Sequence, residues 1–159
     1  MWPAPKPVAA NNQKPSFTIS IGLAEKTVKI GSEVWVIVDL TNTSSGKIRL
    51  WHPRTGAPVY TVDVVDHLGK AVPMTALGRA LRKREQTYAP EKGGPMRTLG
   101  ANTGSSVTIE PAETVKERVT VQDQVDLSEP GEYQIRLERV DPMTKIPVRS
   151  NAVSLIVVK

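Results

Sequence analysis

Residues 126–140 read as a tight turn that feeds straight into a strand. Pro130-Gly131 marks the turn, because Pro fixes φ at one turn position and Gly accepts unusual φ at the next. Beyond it Tyr133, Ile135, Leu137 and Val140 are apolar, while Glu132, Gln134, Arg136 and Glu138 are polar. A period of two places one face on a core and the other in water. A Tyr entering a strand just after such a turn fits a tyrosine corner, with the ring buried and the hydroxyl bonded to backbone a few residues upstream. A chain organised around this strand is a layered β-protein, and the remaining segments read accordingly.

Phe17, Ile19, Ile21 and Leu23 alternate with Thr18, Ser20 and Gly22 in a first strand over 16–23, and 27–30 continues as a short edge segment. The second long strand covers 33–42, with Val34, Val36, Val38 and Leu40 on one face and Trp35, Ile37 and Asp39 on the other. Apolar residues on both faces near its start suit a central strand, and Trp35 is expected in the core or between sheets. Further strands are expected over 47–52, 59–66, 105–109, 113–121 and 148–159, with a return segment at Ala71-Val72. Turn signals separate them, and no α/β alternation or repeat appears. The first 15 residues hold four Pro without periodicity and read as a tail or linker, with the domain running from 16 to 159.

The strand pattern breaks over 73–104. Thr75 to Gln86 suits a short helix with Ala76, Leu77, Ala80 and Leu81 on one face, although Gly78 weakens it. Tyr88 to Gly104 is rich in Gly, Pro, Asn and Thr. An excursion this long within a compact domain usually means function or disorder. Its six basic residues, Arg79, Arg82, Lys83, Arg84, Lys92 and Arg97, face two acids, Glu85 and Glu91; the resulting +4 is most of the chain's +5.

The order of motifs carries a resemblance. Phe17-Thr18-Ile19-Ser20-Ile21, the run from Gly31 to Ser44, the run from Tyr60 to Gly69, the Asp126–Ile135 stretch and Ser150-Asn151-Ala152-Val153-Ser154-Leu155 together resemble immunoglobulin-like β-sandwich domains of uncharacterised exported bacterial proteins. The resemblance covers roughly 16–159 and implies a binding or structural module, without supplying site residues. Similar Leu-Ser-x-x-Gly-x-Tyr and Ser-Asn strands precede the catalytic domains of some metalloproteases. A narrower stretch, Val34 to Lys70, is similar to the bacterial intracellular proteinase inhibitor family, also a sandwich.

Chemistry-bearing patterns are sparse. The absence of Cys excludes disulfides, thiol nucleophiles and thiolate metal sites. His52 and His67 have no zinc-ligand spacing, and Asp63, Asp66, Asp123 and Asp126 follow no calcium-loop pattern; both groups read as ordinary turn and strand-end residues. Gly93-Gly94-Pro95 lacks the Lys-Ser/Thr and helix of a phosphate loop. No nucleophile-elbow or His-Glu-x-x-His pattern is present, and Asn42-Thr43-Ser44 matches a glycosylation acceptor that a turn residue explains as well.

These readings give an all-β, immunoglobulin-like sandwich of about seven to nine antiparallel strands with one long basic insertion. It is expected to be non-catalytic, to need no cofactor or metal, and to act by contact with another protein. The candidate contact loop is Arg79, Arg82, Lys83, Arg84, Tyr88 and Arg97. A protease inhibitor offering Arg79, Arg82 or Arg97 to a trypsin-like pocket is the alternative. Nucleic acid is disfavoured because Tyr88 is the one aromatic near the cations. No apolar run approaches the roughly 20 residues of a membrane helix. An extracellular or periplasmic location is expected, with any signal already removed; a cytosolic one is the other possibility.

Overall fold

The computed structural model describes residues 13–53, 59–99 and 104–159. Most of the expected tail, with Trp2, lies outside them. Strands β1 (Phe17–Leu23), β3 (Trp35–Asn42) and β9 (Thr114–Thr120) form one antiparallel sheet, in that order. In the second sheet β10 (Gly131–Val140) lies between β5 (Thr61–Asp66) on one side and β11 (Pro147–Arg149) with β12 (Val153–Val158) on the other. β2 (Thr27–Lys29) pairs parallel to β12. The chain thus leaves the first sheet after β1 and joins the second at β2. With antiparallel sheets facing one another, this is an immunoglobulin-like β-sandwich.

The core follows strand parity. Phe17, Ile19 and Ile21 of β1, Val36, Val38 and Leu40 of β3, Val62 and Val64 of β5, Ile135 and Leu137 of β10, and Leu155 and Val157 of β12 are all buried. Alternate residues point inward because successive side chains leave opposite faces of a strand. Trp35 departs from expectation. It falls on the odd-numbered face of β3, which is the outer face of its sheet, and is half-buried there beneath the Arg118 guanidinium, 4.6 Å from its ring centroid. A sheet of three strands with one solvated face has no second core to receive it.

Twelve strand segments are formed among the described residues, more than the expected seven to nine, because the 148–159 run is divided and two-residue strands form inside the insertion at Thr87–Tyr88 and Arg97–Thr98. β3 and β4 (Ile48–Pro53) follow one another across a turn, β3 pairing with β9 and β4 with β8 (Gly104–Ile109). Asn42 makes the corner: it is fully buried, and its Nδ2 donates to both Gly46 O and Ile109 O at 2.8 Å. Both amide hydrogens are used, so this side chain is closed to glycosylation. The last run divides at a bulge. Between the pairs Ile135↔Val153 and Glu138↔Arg149, three residues on one strand oppose two on the other. Ser150 Oγ accepts Leu137 N–H there at 2.9 Å, and the Asn151 side chain turns across to bond both backbone groups of Ile21 in β1.

The tyrosine corner forms as expected. Tyr133 Oη donates to Glu129 O at 2.7 Å, four residues upstream. Burial, followed by the nearby Glu129 carboxylate, raises the phenol's pKa.

Candidate functional site

The basic excursion is built onto the open edge of β5. That edge would otherwise carry unpaired backbone groups. Val72 N donates to Val64 O at 3.1 Å, and the Asp66 turn closes with Asp66 N donating to Lys70 O at 2.9 Å. Further along, the buried side chain of Gln124 acts as a short strand partner: Oε1 accepts Val62 N–H at 2.9 Å and Nε2 donates to Tyr60 O at 2.7 Å. A planar amide has one donor and one acceptor group set like a peptide's, which is why Gln serves here.

Helix α1 (Ala76–Lys83) is fastened to the turn that carries Gln124. Thr75 is its N-cap: Oγ1 accepts Gly78 N–H at 3.1 Å and donates to Asp123 O at 2.6 Å, while Thr75 N donates to Gln124 O at 3.0 Å. Gly78, the residue that weakened the helix in the sequence, is buried against Gln124, and a Cβ there would collide with the Gln124 carbonyl oxygen. The glycine gives up helix propensity so that the helix can approach the backbone this closely. Of the expected apolar face, Ala80 is buried and Ala76, Leu77 and Leu81 are half-buried. At the other end Arg84 takes a left-handed conformation, φ 56°, with Arg84 N donating to Leu81 O and Glu85 N to Ala80 O. This is a Schellman-type cap in which Arg stands where Gly is usual.

The chain then forms a small hairpin, β6 (Thr87–Tyr88) with β7 (Arg97–Thr98), extended by Leu99 N donating to Gln86 O at 2.7 Å. Tyr88, half-buried, lies directly across from Arg97. The structure therefore places all six candidate residues on one helix–hairpin unit. Two are engaged: Arg82 pairs with Asp63 of β5, and Arg79 bonds Met74 O at 2.7 Å and Glu91 at 3.2 Å. Lys83, Arg84, Lys92 and Arg97 are exposed and have no ion pair among the described residues.

The remaining acids are used locally. Asp66 Oδ1 accepts Leu68 N–H and Lys70 N–H at 2.9 Å, and the Lys70 bond first among these holds its carboxyl below the usual range. Asp126 Oδ1 accepts Ser128 N–H at 3.0 Å, and Asp123 Oδ2 accepts Thr120 Oγ1–H at 2.5 Å. Among the described residues, no three His, Asp or Glu side chains are grouped to hold a metal ion. His67 is exposed at a turn, and among the described residues neither histidine is hydrogen-bonded to a Ser or Thr hydroxyl.

One charged cluster was not foreseen from sequence. Arg139 projects inward from β10 and is buried, with Nη2 donating to Trp51 O at 2.9 Å and Nη1 lying 3.4 Å from Tyr60 Oη and 3.8 Å from Glu117 Oε1. His52 Nδ1 is 3.7 Å from the same Glu117 oxygen. Burial first, then the Glu117 carboxylate, pushes the Tyr60 phenol well above its ordinary range, against the opposing pull of Arg139. The one signal in the sequence was an Arg on the apolar side of the β10 alternation. The cluster joins β4, β9 and β10, and it pairs no nucleophile with a base.

No protein-family model matches the sequence, and no curated protein matches it. Solved structures of similar shape include the crystal structure of a CARDB domain from Pyrococcus furiosus in complex with di-metal ions, at 13% identity and a TM-score of 0.43, covering 91% of this chain and 89% of that one. Spo0M, the sporulation control protein of Bacillus subtilis, matches at 10% identity and 0.45, covering 91% of this chain and 50% of that one. A β-glucosidase from Listeria innocua in complex with glucose matches at 11% and 0.46, over 91% of this chain but 16% of its own length. At these values the similarities add no argument to the fold that the strand register itself gives.

Proposed function

We propose that the chain is a non-catalytic contact module that meets another protein through α1 and the β6–β7 hairpin. The observation that carries this reading is the seating of α1. The helix is capped at Thr75, pressed by Gly78 onto Gln124 and tied by Arg82 to Asp63, while Lys83, Arg84, Lys92 and Arg97 are left exposed. A rigid scaffold that spends a cap, a close approach and an ion pair on holding a cationic surface suits recognition of an acidic partner surface. The exported bacterial setting belongs to the same reading, and fractionation of the producing cells tests it separately.

The test is site-specific photo-crosslinking in those cells, with the probe residue at Lys83 or Arg97 and a control probe at Gln134 on the outer face of β10. A discrete adduct from the first two positions, absent at the third and lost when the other two of Lys83, Arg84 and Arg97 are changed to Glu around the probe, is the expected result. The same adducts from all three positions, or none from Lys83 and Arg97, overturn the reading.

One observation favours the protease-inhibitor alternative. Arg97 is exposed in extended backbone, as a protease cleft requires, whereas Arg79 and Arg82 lie in a helix. Stoichiometric inhibition of trypsin that disappears in Arg97→Ala supports it; turnover of trypsin substrate at the uninhibited rate removes it.

A further inference from the structure

Among the described residues β9 is an edge strand with its outward backbone unclaimed. It pairs there with β3 alone. The flanking bonds fix the phase of the ladder: Val121 N donates to Val34 O at 3.1 Å, and Asn42 N donates to Glu113 O at 3.0 Å. Alternate residues of an antiparallel strand turn both backbone groups to the same side. Val115, Glu117 and Val119 therefore bond β3, and Thr114, Lys116, Arg118 and Thr120 turn their N–H and C=O groups away from the sheet. Among the described residues those groups have no hydrogen-bond partner. Two other edges are interrupted. Asn151 occupies Ile21 on β1, and Gln124, Arg82 and Val72 occupy Val62 and Val64 on β5.

The side chains of β9 state what would fit. Val115 and Val119 face inward and are only half-buried, so an added strand with apolar residues opposite them would complete the core at this edge. Lys116 and Arg118 face outward, held over the sheet by Asp39 at 2.8 Å and by the Trp35 ring. Opposite charges directly across a strand pair stabilise it, and like charges oppose it. A second copy is the wrong occupant. Two-fold pairing of β9 with itself sets Lys116 against Lys116, Glu117 against Glu117 or Arg118 against Arg118, according to register.

We propose that β9 receives, by strand addition, an extended segment of another protein that alternates apolar and acidic residues, with acids opposite Lys116 and Arg118 and apolar side chains opposite Val115 and Val119. This surface is separate from α1 and the hairpin, and stands whether or not they bind a partner. The inward Glu117 position, next to Arg139 and His52, calls for a small polar residue opposite it. Backbone pairing supplies the affinity in this mode, and the alternate side chains supply the selectivity.

The experiment uses the whole chain and the capped peptide Thr-Val-Glu-Thr-Glu-Val-Thr, with the same peptide carrying Lys for Glu as control. Saturable binding of the acidic peptide is expected, with slowed exchange of the Lys116 and Arg118 amide hydrogens and weaker binding of the basic peptide. Lys116→Pro removes an outward N–H and the cation set opposite an acid of the peptide, without loss of a bond to β3, and Pro is tolerated at such edge positions; its affinity for the acidic peptide is expected to fall at least about tenfold, as loss of roughly 1.4 kcal/mol gives. Lys116→Glu with Arg118→Glu is expected to reverse the preference between the two peptides. Equal binding of both peptides, no change in amide exchange at Lys116 and Arg118, or a preference unmoved by the charge reversal overturns the proposal. Reversible dimerisation abolished by Lys116→Pro overturns the choice of occupant and assigns the edge to a second copy.

Discussion

Asn151 supplies the strand partner that Ile21 lacks: its Oδ1 accepts Ile21 N–H at 2.8 Å, and its Nδ2 donates to Ile21 O at 3.1 Å. The two residues belong to opposite sheets, so one side chain both closes the β1 edge and ties the layers together. The bulge at Ser150–Ala152 makes this possible, because the extra residue leaves the β10 ladder and can turn toward β1.

Asn151→Ala therefore removes two hydrogen bonds at the sheet edge while burying nothing new. A loss of about 1–2 kcal/mol is expected in urea unfolding, with the slope unchanged. A change below about 0.3 kcal/mol would mean that water replaces the side chain without cost.

Gly78→Ala sets two effects against each other. Ala favours a helix interior by about 1 kcal/mol over Gly, but its Cβ collides with the Gln124 carbonyl, which belongs to backbone and cannot swing aside. The collision wins: a net destabilisation of about 1–3 kcal/mol is expected, with faster amide exchange in α1. Stabilisation by this substitution would show that the helix is not seated on the turn.

Arg84→Gly acts in the other direction. Arg84 occupies the left-handed region at φ 56° and ψ 34°, where a Cβ is unfavourable and glycine is not penalised. Thermal unfolding is expected to show a gain of about 0.5–1 kcal/mol, at the expense of one exposed cation.

Acid sensitivity should centre on Asp141. Burial pushes its carboxyl up, but the bonds it accepts from Ser16 N, Met143 N and Thr144 Oγ1 outweigh burial and hold it below its ordinary value. The folded state thus keeps the group ionised where the unfolded chain, titrating near pH 3.9, already takes up a proton. The stability it contributes is complete above about pH 5 and is lost as pH falls through about 4 toward the folded value. Urea titrations from pH 7 to 3 should show that acid limb flatten in Asp141→Asn. An unchanged limb would assign the acid transition to other carboxylates.

The layers were legible in the sequence because burial follows parity. Val34, Val36, Val38 and Leu40 or Tyr133, Ile135 and Leu137 declare their face without knowledge of any partner. The tyrosine corner was legible because both of its ends lie within Glu129 to Tyr133. Trp35 was misplaced because hydrophobicity alone does not distinguish a core from an outer face roofed by Arg118, which is distant in sequence. Long-range polar ties were invisible for the same reason: Asn151 to Ile21, Gln124 to Tyr60 and Val62, and Arg139 to Glu117 each join residues that no local pattern connects. The charge of the 73–104 segment could be counted beforehand. That Arg82 is engaged by Asp63 and that Gly78 seats the helix required the fold.

Limited trypsin digestion with mass spectrometry tests whether α1 is a fixed cationic surface. Because the helix is capped at Thr75, closed at Arg84 and pressed onto Gln124, the bonds after Arg79 and Arg82 are expected to survive as long as the sandwich itself, and to become sensitive in Gly78→Ala. Rapid cleavage after Arg79 and Arg82 in the unmodified chain, with the core fragments still associated and folded, would contradict the account and make the segment a mobile loop that only a partner orders.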